Sequence, residues 1–370
     1  MMDAVEVTRR LVAFDTINPP GRERDCMTWI ADQLDAAGFE TQLLPMGEER
    51  ANLVARIGAS DEPPLCFSGH IDTVPLGLVP WSRDPFAGEI VNGRLYGRGS
   101  SDMKAGVAAF VCALCEQADS LKNGRGILVA VAAGEETGSD GARALVEAGA
   151  IGPLGAVVIA EPTNNAPAVG HKGALWLKAS FSGKTAHGSM PHLGVNAAYK
   201  AAHALVALER LALTDPGHPL GSPTLNVGTV HAGLNVNSVP DRAELGIDIR
   251  TVPGVDHCEV RALLARELGQ EATLETLIDL VAVWTDADEA WMRRVRGIAD
   301  AVTGAPPNPT LAMSYFTDGS ILVPAAGHPP AVILGPGDPQ QAHRTDEYCD
   351  VANIYAAVDI YSRIIADWRQ

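Results

Sequence analysis

Two adjacent glutamates follow an apolar run in the stretch ILVAVAAGEETGSDGA, residues 127–142. The apolar run predicts a buried strand, and Gly134 ends it just before Glu135 and Glu136. Neighbouring residues on a strand point to opposite faces, so one carboxylate could be buried and the other solvated. In a turn just past a strand, both carboxylates could instead enter one site and perform different chemistry.

A histidine and an aspartate two residues apart form a second candidate, in SGHIDTVP. On an extended chain His70 and Asp72 face the same way, which suits a metal-binding histidine whose tautomer is fixed by a carboxylate. The same spacing also fits two side chains that only touch solvent. Taken alone, this pair does not decide between the two interpretations.

Asp102 lies in the glycine-rich turn GRGSSDMKAG, which opens a predicted helix. A phosphate cradle is not favoured, because Asp102 stands where the third glycine of G-x-G-x-x-G would be and its carboxylate would repel phosphate. A carboxylate has two oxygens and can bridge two cations. It can also simply cap the helix, and both interpretations fit the sequence.

Two further candidate ligands complete a set. Glu161 ends the predicted strand VVIAEP, and His343 lies in the loop QQAHRTDEY before the last predicted helix. Together these side chains make one bridging acid, two histidines and two further acids, a set suited to two divalent ions such as zinc. The candidate ligands are His70, Asp102, Glu136, Glu161 and His343. Glu135 is then left over as a general base for a metal-bound water.

Helices and strands alternate around these residues. Strand-like segments such as PLCFSGHID and GILVAVAAG are separated by helix-like segments such as MKAGVAAFVCALCEQ, and Asn92-Gly93 marks a hairpin. This alternation predicts an α/β fold with a mixed, largely parallel sheet flanked by helices.

A second pattern interrupts the first. From about Gly173 the order is strand, helix, strand, strand, helix, strand, which suits an inserted α+β domain of the ferredoxin-like kind. After Trp284 the first pattern returns. The sequence therefore predicts a discontinuous catalytic domain, residues 1–172 and 286–370, around an inserted domain at residues 173–285.

The composition narrows the class of function. Its 46% hydrophobic residues are typical of a globular protein. Its formal net charge of −17 argues against nucleic acid or an anionic membrane as a partner. No apolar stretch of about 18 residues occurs and the N-terminus is acidic, so we expect a cytoplasmic protein. Six scattered cysteines fit reduced thiols, and the C-x-x-C of Cys112 and Cys115 lies in a helical run without a second pair.

The motifs SGHIDTVP, GRGSSDMKAG, AGEETGS, AEPT and AHRTDEY occur in this order, with the predicted insertion between the last two. With these motifs in this order, the chain resembles the metallopeptidase family that includes acetylornithine deacetylase, succinyl-diaminopimelate desuccinylase, glutamate carboxypeptidase and aminoacylase. The resemblance covers essentially the whole chain. The resemblance implies two metal ions that share Asp102, with His70 and Glu161 on one and Glu136 and His343 on the other.

The same resemblance implies roles for two other acids. Asp72 would be the partner of His70, and Glu135 the general acid and base. The pair Ser100-Ser101 before Asp102 departs from many relatives, which leaves the metal assignment intact.

The inserted segment resembles the lid and dimerisation domain of that family. In that family a histidine at the position of His187, in GKTAHGSMPHLGVNA, reaches into the partner subunit's site and helps to stabilise the oxyanion, so the resemblance implies this role for His187. His192 is the nearby alternative, and a surface or core histidine is the alternative for both. The resemblance therefore implies a homodimer formed through the inserted domain.

Four residues are candidate substrate contacts by the same resemblance. Asn237 would be a polar contact and Arg250 the clamp on a substrate carboxylate, although a surface ion pair would also explain Arg250. Asp318 and Gly319, in YFTDGS, would contact the amino-acid end of the substrate.

These expectations describe a di-zinc-type amidohydrolase that removes an acyl group from an N-acyl amino acid. Cobalt or manganese would also suit the ligands. A metallo-dipeptidase, a carboxypeptidase or a hydrolase of another amide-like C–N bond would use the same centre. From a different class, a small-molecule-binding protein with a decayed metal site remains an alternative.

Overall fold

The structure is a computed structural model of the chain that describes residues 2–304 and 311–369. The chain divides into two compact units. Unit 1 comprises Met1–Gly170, Trp284–Met313 and Thr317–Gln370, and unit 2 comprises His171–Val283 and Ser314–Phe316.

The described helices and strands follow in chain order. The helices are α1 (Ala4–Val12), α2 (Arg24–Ala37), α3 (Ala105–Leu121), α4 (Asp140–Glu147), α5 (Ala197–Glu209), α6 (His257–Leu268), α7 (Ala290–Thr303), α8 (Gly319–Ala325) and α9 (Val351–Trp368). The strands are β1 (Glu40–Pro45), β2 (Ala51–Ile57), β3 (Leu65–His70), β4 (Glu89–Val91), β5 (Arg94–Tyr96), β6 (Ile127–Ala132), β7 (Ala156–Ile159), β8 (Gly170–His171), β9 (Gly173–Ser182), β10 (Thr224–Ala232), β11 (Arg242–Thr251), β12 (Ala272–Leu280), β13 (Val283–Trp284), β14 (Ala331–Ile333) and β15 (Tyr348–Asp350).

Unit 1 is built on a six-stranded sheet with the order β1-β2-β6-β3-β7-β14. Strands β6, β3, β7 and β14 run parallel, whereas β1 and β2 are antiparallel to their neighbours. Every residue of β3, β6 and β7 is buried, as expected for parallel strands covered on both faces. The predicted mixed, largely parallel sheet is confirmed.

Helices α1, α3 and α9 pack against one another around the main apolar core of unit 1. Phe67 of β3 lies 5.5 Å from the ring of Tyr361 in α9, and the Tyr361 hydroxyl donates to the Leu334 carbonyl. Gly106 lets the start of α3 approach the end of β7, because a Cβ at this position would lie 2.1 Å from the Ala160 oxygen. The helix thus begins close to the edge of the sheet where the candidate ligands lie.

A small antiparallel sheet, β15-β5-β4, completes unit 1. Its hairpin turns at Asn92 and Gly93, which have φ values of 51° and 77°. Positive φ at both central residues is the geometry that an Asn-Gly hairpin turn requires, so this predicted turn is confirmed.

Unit 2 contains a four-stranded antiparallel sheet with the order β10-β11-β9-β12. Helices α5 and α6 pack on this sheet around a second apolar core. Its chain order is strand, helix, strand, strand, helix, strand, and its spatial order is that of a ferredoxin-like domain. The predicted α+β class of the insertion is confirmed.

Candidate metal centre

His70 is the last residue of β3 and its side chain is buried. Its Nδ1 donates to the backbone carbonyl of Asp72 at 3.0 Å and lies 3.4 Å from the Asp72 carboxylate. A proton held on Nδ1 leaves the lone pair on Nε2, which is the state a metal-binding histidine needs.

Asp72 is fully buried and gathers hydrogen bonds from several segments of unit 1. Its carboxylate accepts from the backbone N–H groups of Glu135 and Glu136, at 3.1 and 3.2 Å, and from the Asn18 side chain at 3.0 Å. Burial opposes ionisation of Asp72, but hydrogen bonds from His70, Asn18 and Glu135 lower the pKa of this carboxyl. An ionised Asp72 therefore links the His70 ring to the turn that carries both glutamates.

Asp102 presents its two oxygens to two different histidines. Oδ1 lies 3.4 Å from Nε2 of His70, and Oδ2 lies 3.5 Å from Nε2 of His343. Glu161 follows β7 and places Oε1 3.6 Å from Nε2 of His70, while Oε2 of Glu136 is 3.0 Å from Nε2 of His343. The structure thus brings together all five predicted ligands, in two groups that share Asp102.

These separations fit a pair of divalent ions. Ligand atoms about 2.1 Å from a tetrahedral zinc ion lie about 3.4 Å from one another. The four histidine-to-carboxylate distances range from 3.0 to 3.6 Å. Several carboxylates are buried at this one edge of the sheet, and burying them without cations would cost much free energy. The chemistry of the donor set therefore fits bound cations.

Glu135 and Glu136 enter the same cluster rather than opposite faces of a strand. The turn begins at Gly134, whose φ is 78°, and the Glu135 carbonyl accepts from the N–H groups of Gly138 and Ser139. Ligand atoms of Glu135 and Glu136 each belong to a group within 4.8 Å that includes His70. Distance alone would let Glu135 act as a ligand as well as a base.

Burial raises the pKa of Glu135 well above its ordinary value; His70 counteracts this, and Glu161 raises the pKa further. Burial raises the pKa of Glu161 well above its ordinary value too, so these two buried glutamates of the cluster share this property.

Asp102 does not cap α3. The helix begins at Ala105 with Lys104 as its N-cap, and the backbone of Asp102 is not helical, with φ −119° and ψ 93°. The capping interpretation of the glycine-rich turn is therefore wrong. The backbone N–H of Asp102 instead donates to the buried carboxylate of Glu347 at 3.1 Å.

Asp318 and Gly319 lie at the start of α8 and both are buried. Burial raises the pKa of Asp318 to about 7, and His70 and the Ser139 hydroxyl moderate the rise. Because Asp318 also raises the pKa of Glu135, it lies within electrostatic reach of the cluster.

His187 and Asn237 lie side by side in unit 2. The N–H of Gly188 donates to the Asn237 carbonyl at 2.7 Å, and His187 Nδ1 is 2.7 Å from the Ser189 hydroxyl. His192 lies exposed in the short turn Pro191–Leu193.

Arg250, on β11 of unit 2, forms an ion pair with Asp248 at 2.9 Å. Its guanidinium lies 5.8 Å from the ring centroid of Trp176 and 5.9 Å from that of Phe316. An ion pair is the alternative that the sequence left open for Arg250.

Sequence reasoning missed Asn18, Arg98 and Glu347. Asn18 holds Asp72, and Arg98 and Glu347 form a buried ion pair of 2.7 Å beneath the Asp102 turn. A local signal existed for Glu347, a carboxylate four residues after His343, but the sequence did not show what it binds.

Residues 66–367 match the model of peptidase family M20/M25/M40, which is most of the chain. The chain belongs to this family. It is 30% identical to a probable succinyl-diaminopimelate desuccinylase of Staphylococcus epidermidis, covering 98% of this chain and 96% of the relative. It is also 30% identical to an acetylornithine deacetylase of Vibrio atlanticus, covering 98% and 97%. The expected family is confirmed.

Solved M20 structures share the fold. A metallo-carboxypeptidase from Sulfolobus solfataricus superposes with a TM-score of 0.82 at 18% identity, covering all of both chains. A dinuclear metal-binding peptidase from Bacillus subtilis superposes with a TM-score of 0.73 at 15% identity, covering 99% of this chain and 97% of the other.

Membership of the M20 family makes this chain a metal-dependent hydrolase that acts on amide bonds, as the motifs predicted. The side chains that lie close enough to hold a metal ion together belong to the motifs that carry the family resemblance. In residues 2–304 and 311–369, no helix combines the length and apolarity that spanning a membrane requires.

Proposed function

We propose that this M20 enzyme is a di-metal amidohydrolase that removes an acyl group from an N-acyl amino acid. The observation that carries the proposal is the geometry of Asp102, whose two oxygens each face a different histidine. The desuccinylase and deacetylase relatives, matched over nearly their whole length, support this substrate class.

The proposed ligands form two sites. One site uses His70, Asp102 and Glu161, and the other uses Asp102, Glu136 and His343, with Asp72 orienting His70. Zinc is the proposed metal because imidazole and carboxylate ligands suit it, and cobalt or manganese would also bind.

The bound cations would polarise the scissile carbonyl and lower the pKa of a water molecule. Glu135 takes the proton of the attacking water and delivers it to the leaving amine. We assign this role to Glu135 rather than to Glu136, because the lone pairs of a ligating carboxylate are committed and its pKa is depressed. Glu136 lies 3.0 Å from Nε2 of His343, the other proposed ligand of the second site.

Four residues are proposed substrate contacts because they match the family's motifs. We propose Arg250 as the clamp on the substrate carboxylate, with its Asp248 partner displaced or shared, and Asn237 as a polar contact. Asp318 and Gly319 would meet the amino-acid end of the substrate. His187 of the partner subunit would stabilise the oxyanion, with His192 as the alternative, which requires a homodimer through the inserted lid domain.

We place the enzyme in the cytoplasm. All six of its cysteines are free thiols, which suits a reducing compartment.

The first test is Glu135→Gln. General acid and base catalysis supplies about 10²- to 10⁴-fold in rate, so turnover should fall by that amount while metal content stays at the parent level. Glu136→Ala is the matched neighbour and should lower the metal content as well. If Glu135→Gln retained most of its activity, the assigned role would be wrong.

The second test is a substrate panel with acetyl, succinyl, formyl and aminoacyl groups on varied amino acids, assayed with added zinc, cobalt or manganese. Cleavage of acyl groups over aminoacyl groups supports the proposal. Preference for aminoacyl groups would instead make the enzyme a dipeptidase. Absence of bound metal after incubation with zinc or cobalt would point to a decayed site.

The third test addresses the shared site. His187→Ala should slow turnover with little loss of metal, and mixing it with an inactive Glu135 variant should restore activity through heterodimers. A parallel mixture with His192→Ala tests the neighbouring histidine. If neither mixture regained activity, the site would lie within one subunit.

A further inference from the structure

Glu347 is a fully buried carboxylate that receives four hydrogen bonds. Its Oε1 accepts from the backbone N–H groups of Ser101 at 2.8 Å and Asp102 at 3.1 Å. Its Oε2 accepts from the N–H of Gly99 at 2.9 Å and from Nη1 of Arg98 at 2.7 Å. The Glu347 side chain therefore binds the backbone of the turn that carries Asp102, the proposed ligand shared by both metal sites.

Arg98 extends this support to two other segments. Its guanidinium is 2% exposed and donates to the carbonyl of Arg344 at 3.2 Å and to that of Pro75 at 3.1 Å. Arg344 directly follows His343, and Pro75 lies three residues after Asp72. The buried Arg98–Glu347 ion pair thus connects the chain segments that carry Asp72, Asp102 and His343.

The two proposed metal sites differ in how their ligands are held. His70 is the last residue of β3 and pairs with Ala132 of β6, and Glu161 directly follows Ala160, whose N–H donates to the Ser68 carbonyl of β3. His343 lies in a loop, its side chain is 56% exposed, and its φ of 63° is a backbone conformation uncommon for a residue other than glycine. The His343 side of the centre therefore depends on the anchoring of its loop.

A buried ion pair is weak evidence for stability, because apolar replacements of similar volume are often as stable. The contacts of Glu347 and Arg98 suggest another reason for this pair. We propose that Glu347 and Arg98 are positioning residues that set the separation of Asp102 and His343. They thereby set the affinity of the cation that Asp102, Glu136 and His343 would hold. This inference rests on the proposed di-metal centre and deepens it.

The test is Glu347→Gln in the full-length protein, stripped of metal and titrated with zinc in competition with a chelator. An amide in place of the carboxylate turns an N–H group toward Gly99 or Arg98, which are themselves donors. Loss of an outer contact of this kind lowers metal affinity by about 10- to 100-fold. We expect that loss at the site of Glu136 and His343, and a smaller loss at the site of His70 and Glu161, because both sites share Asp102.

Activity supplies a second readout. At limiting free zinc the Glu347→Gln variant should lose most of its kcat, and raising the zinc concentration should restore it. Glu347→Asp, which keeps the charge, should lie between the parent and Glu347→Gln, and it serves if the amide variant does not fold. The matched control is Asp279→Asn in unit 2, a unit that contains none of the proposed metal ligands; Asp279 also binds an arginine, Arg261.

The outcomes separate this inference from the proposal beneath it. A parent that binds no zinc contradicts the di-metal centre itself. A parent that binds two zinc ions, with Glu347→Gln unchanged or weakened equally at both sites, overturns the positioning role alone. A larger loss at the site of His343 than at the site of His70, absent in Asp279→Asn, supports it.

Discussion

Each unit of this protein contains a histidine paired with an aspartate, and the two pairs differ at the second ring nitrogen. In unit 2, His257 contacts Asp279 through Nδ1 at 2.6 Å and the Thr251 hydroxyl through Nε2 at 2.8 Å. In unit 1, His70 contacts Asp72 through Nδ1, but its Nε2 faces the carboxylates of the cluster.

The difference separates a structural histidine from one suited to binding a metal. Both nitrogens of His257 are satisfied by unit 2, and Asp279 also pairs with Arg261. Nε2 of His70 instead joins several buried acids that require positive charge between them. A histidine–aspartate pair is therefore informative only together with the partner of the other nitrogen.

Replacing each histidine gives the largest expected contrast. His70→Ala should abolish measurable turnover and lower the zinc content, because it removes a proposed ligand. His257→Ala should keep its zinc and most of its turnover while losing about 1–3 kcal/mol of unfolding free energy, since Asp279 and Thr251 lose a buried partner. Zinc analysis, initial rates and denaturant titration of the same preparations measure all three quantities. Loss of zinc from His257→Ala would erase the distinction between the pairs.

Replacing each aspartate should give a smaller contrast. Asp72→Asn presents an amide to N–H donors at Glu135 and Glu136, so zinc affinity should fall by about 10- to 100-fold. Asp279→Asn should leave zinc affinity unchanged. Chelator competition checks both variants, and equal zinc affinities for Asp72→Asn and the parent would show that Asp72 does not orient His70.

A third buried histidine isolates the effect of burial. Burial lowers the pKa of His171 to about 4, so this ring is neutral in the folded protein. Its ordinary pKa is about 6.5, so the unfolded chain binds the extra proton between these values and stability falls as the pH drops from about 6.5 to 4. The loss from this group amounts to about 3 kcal/mol.

The measurement is denaturant unfolding of metal-free protein across this pH range. His171→Asn keeps a donor for the Lys172 carbonyl, which Nδ1 contacts at 2.9 Å, but does not titrate. Its stability should therefore decrease less on acidification than that of the parent. Parallel pH curves would show that His171 is not the titrating group.

The fold and the proximity of most candidate ligands were predictable because their signals are local. The apolar runs of β3, β6 and β7 indicate buried parallel strands, and His70, Glu136 and Glu161 stand at or just past the ends of these runs, whereas Asp102 and His343 lie in loops. Carboxyl ends of parallel strands meet at one edge of a sheet, so their proximity followed from the pattern.

The supporting contacts were not predictable because they join distant parts of the chain. Asn18 and Asp72 are 54 residues apart in sequence, and Arg98 and Glu347 are 249 apart. Periodicity and motif spacing carry no information about such pairs. The conformation of the Asp102 turn was likewise undecided, since an aspartate before a helix is a common cap.

The order of the chain has a consequence for synthesis. Four proposed ligands precede unit 2, whereas His343 and the proposed positioning residue Glu347 follow it, as does β14 at the edge of the main sheet. We expect a growing chain to expose an acidic, unfinished cluster throughout the synthesis of unit 2, with only one imidazole in place. Capture of the second ion would then be one of the last steps of maturation, because the residues that complete its site emerge from the ribosome late.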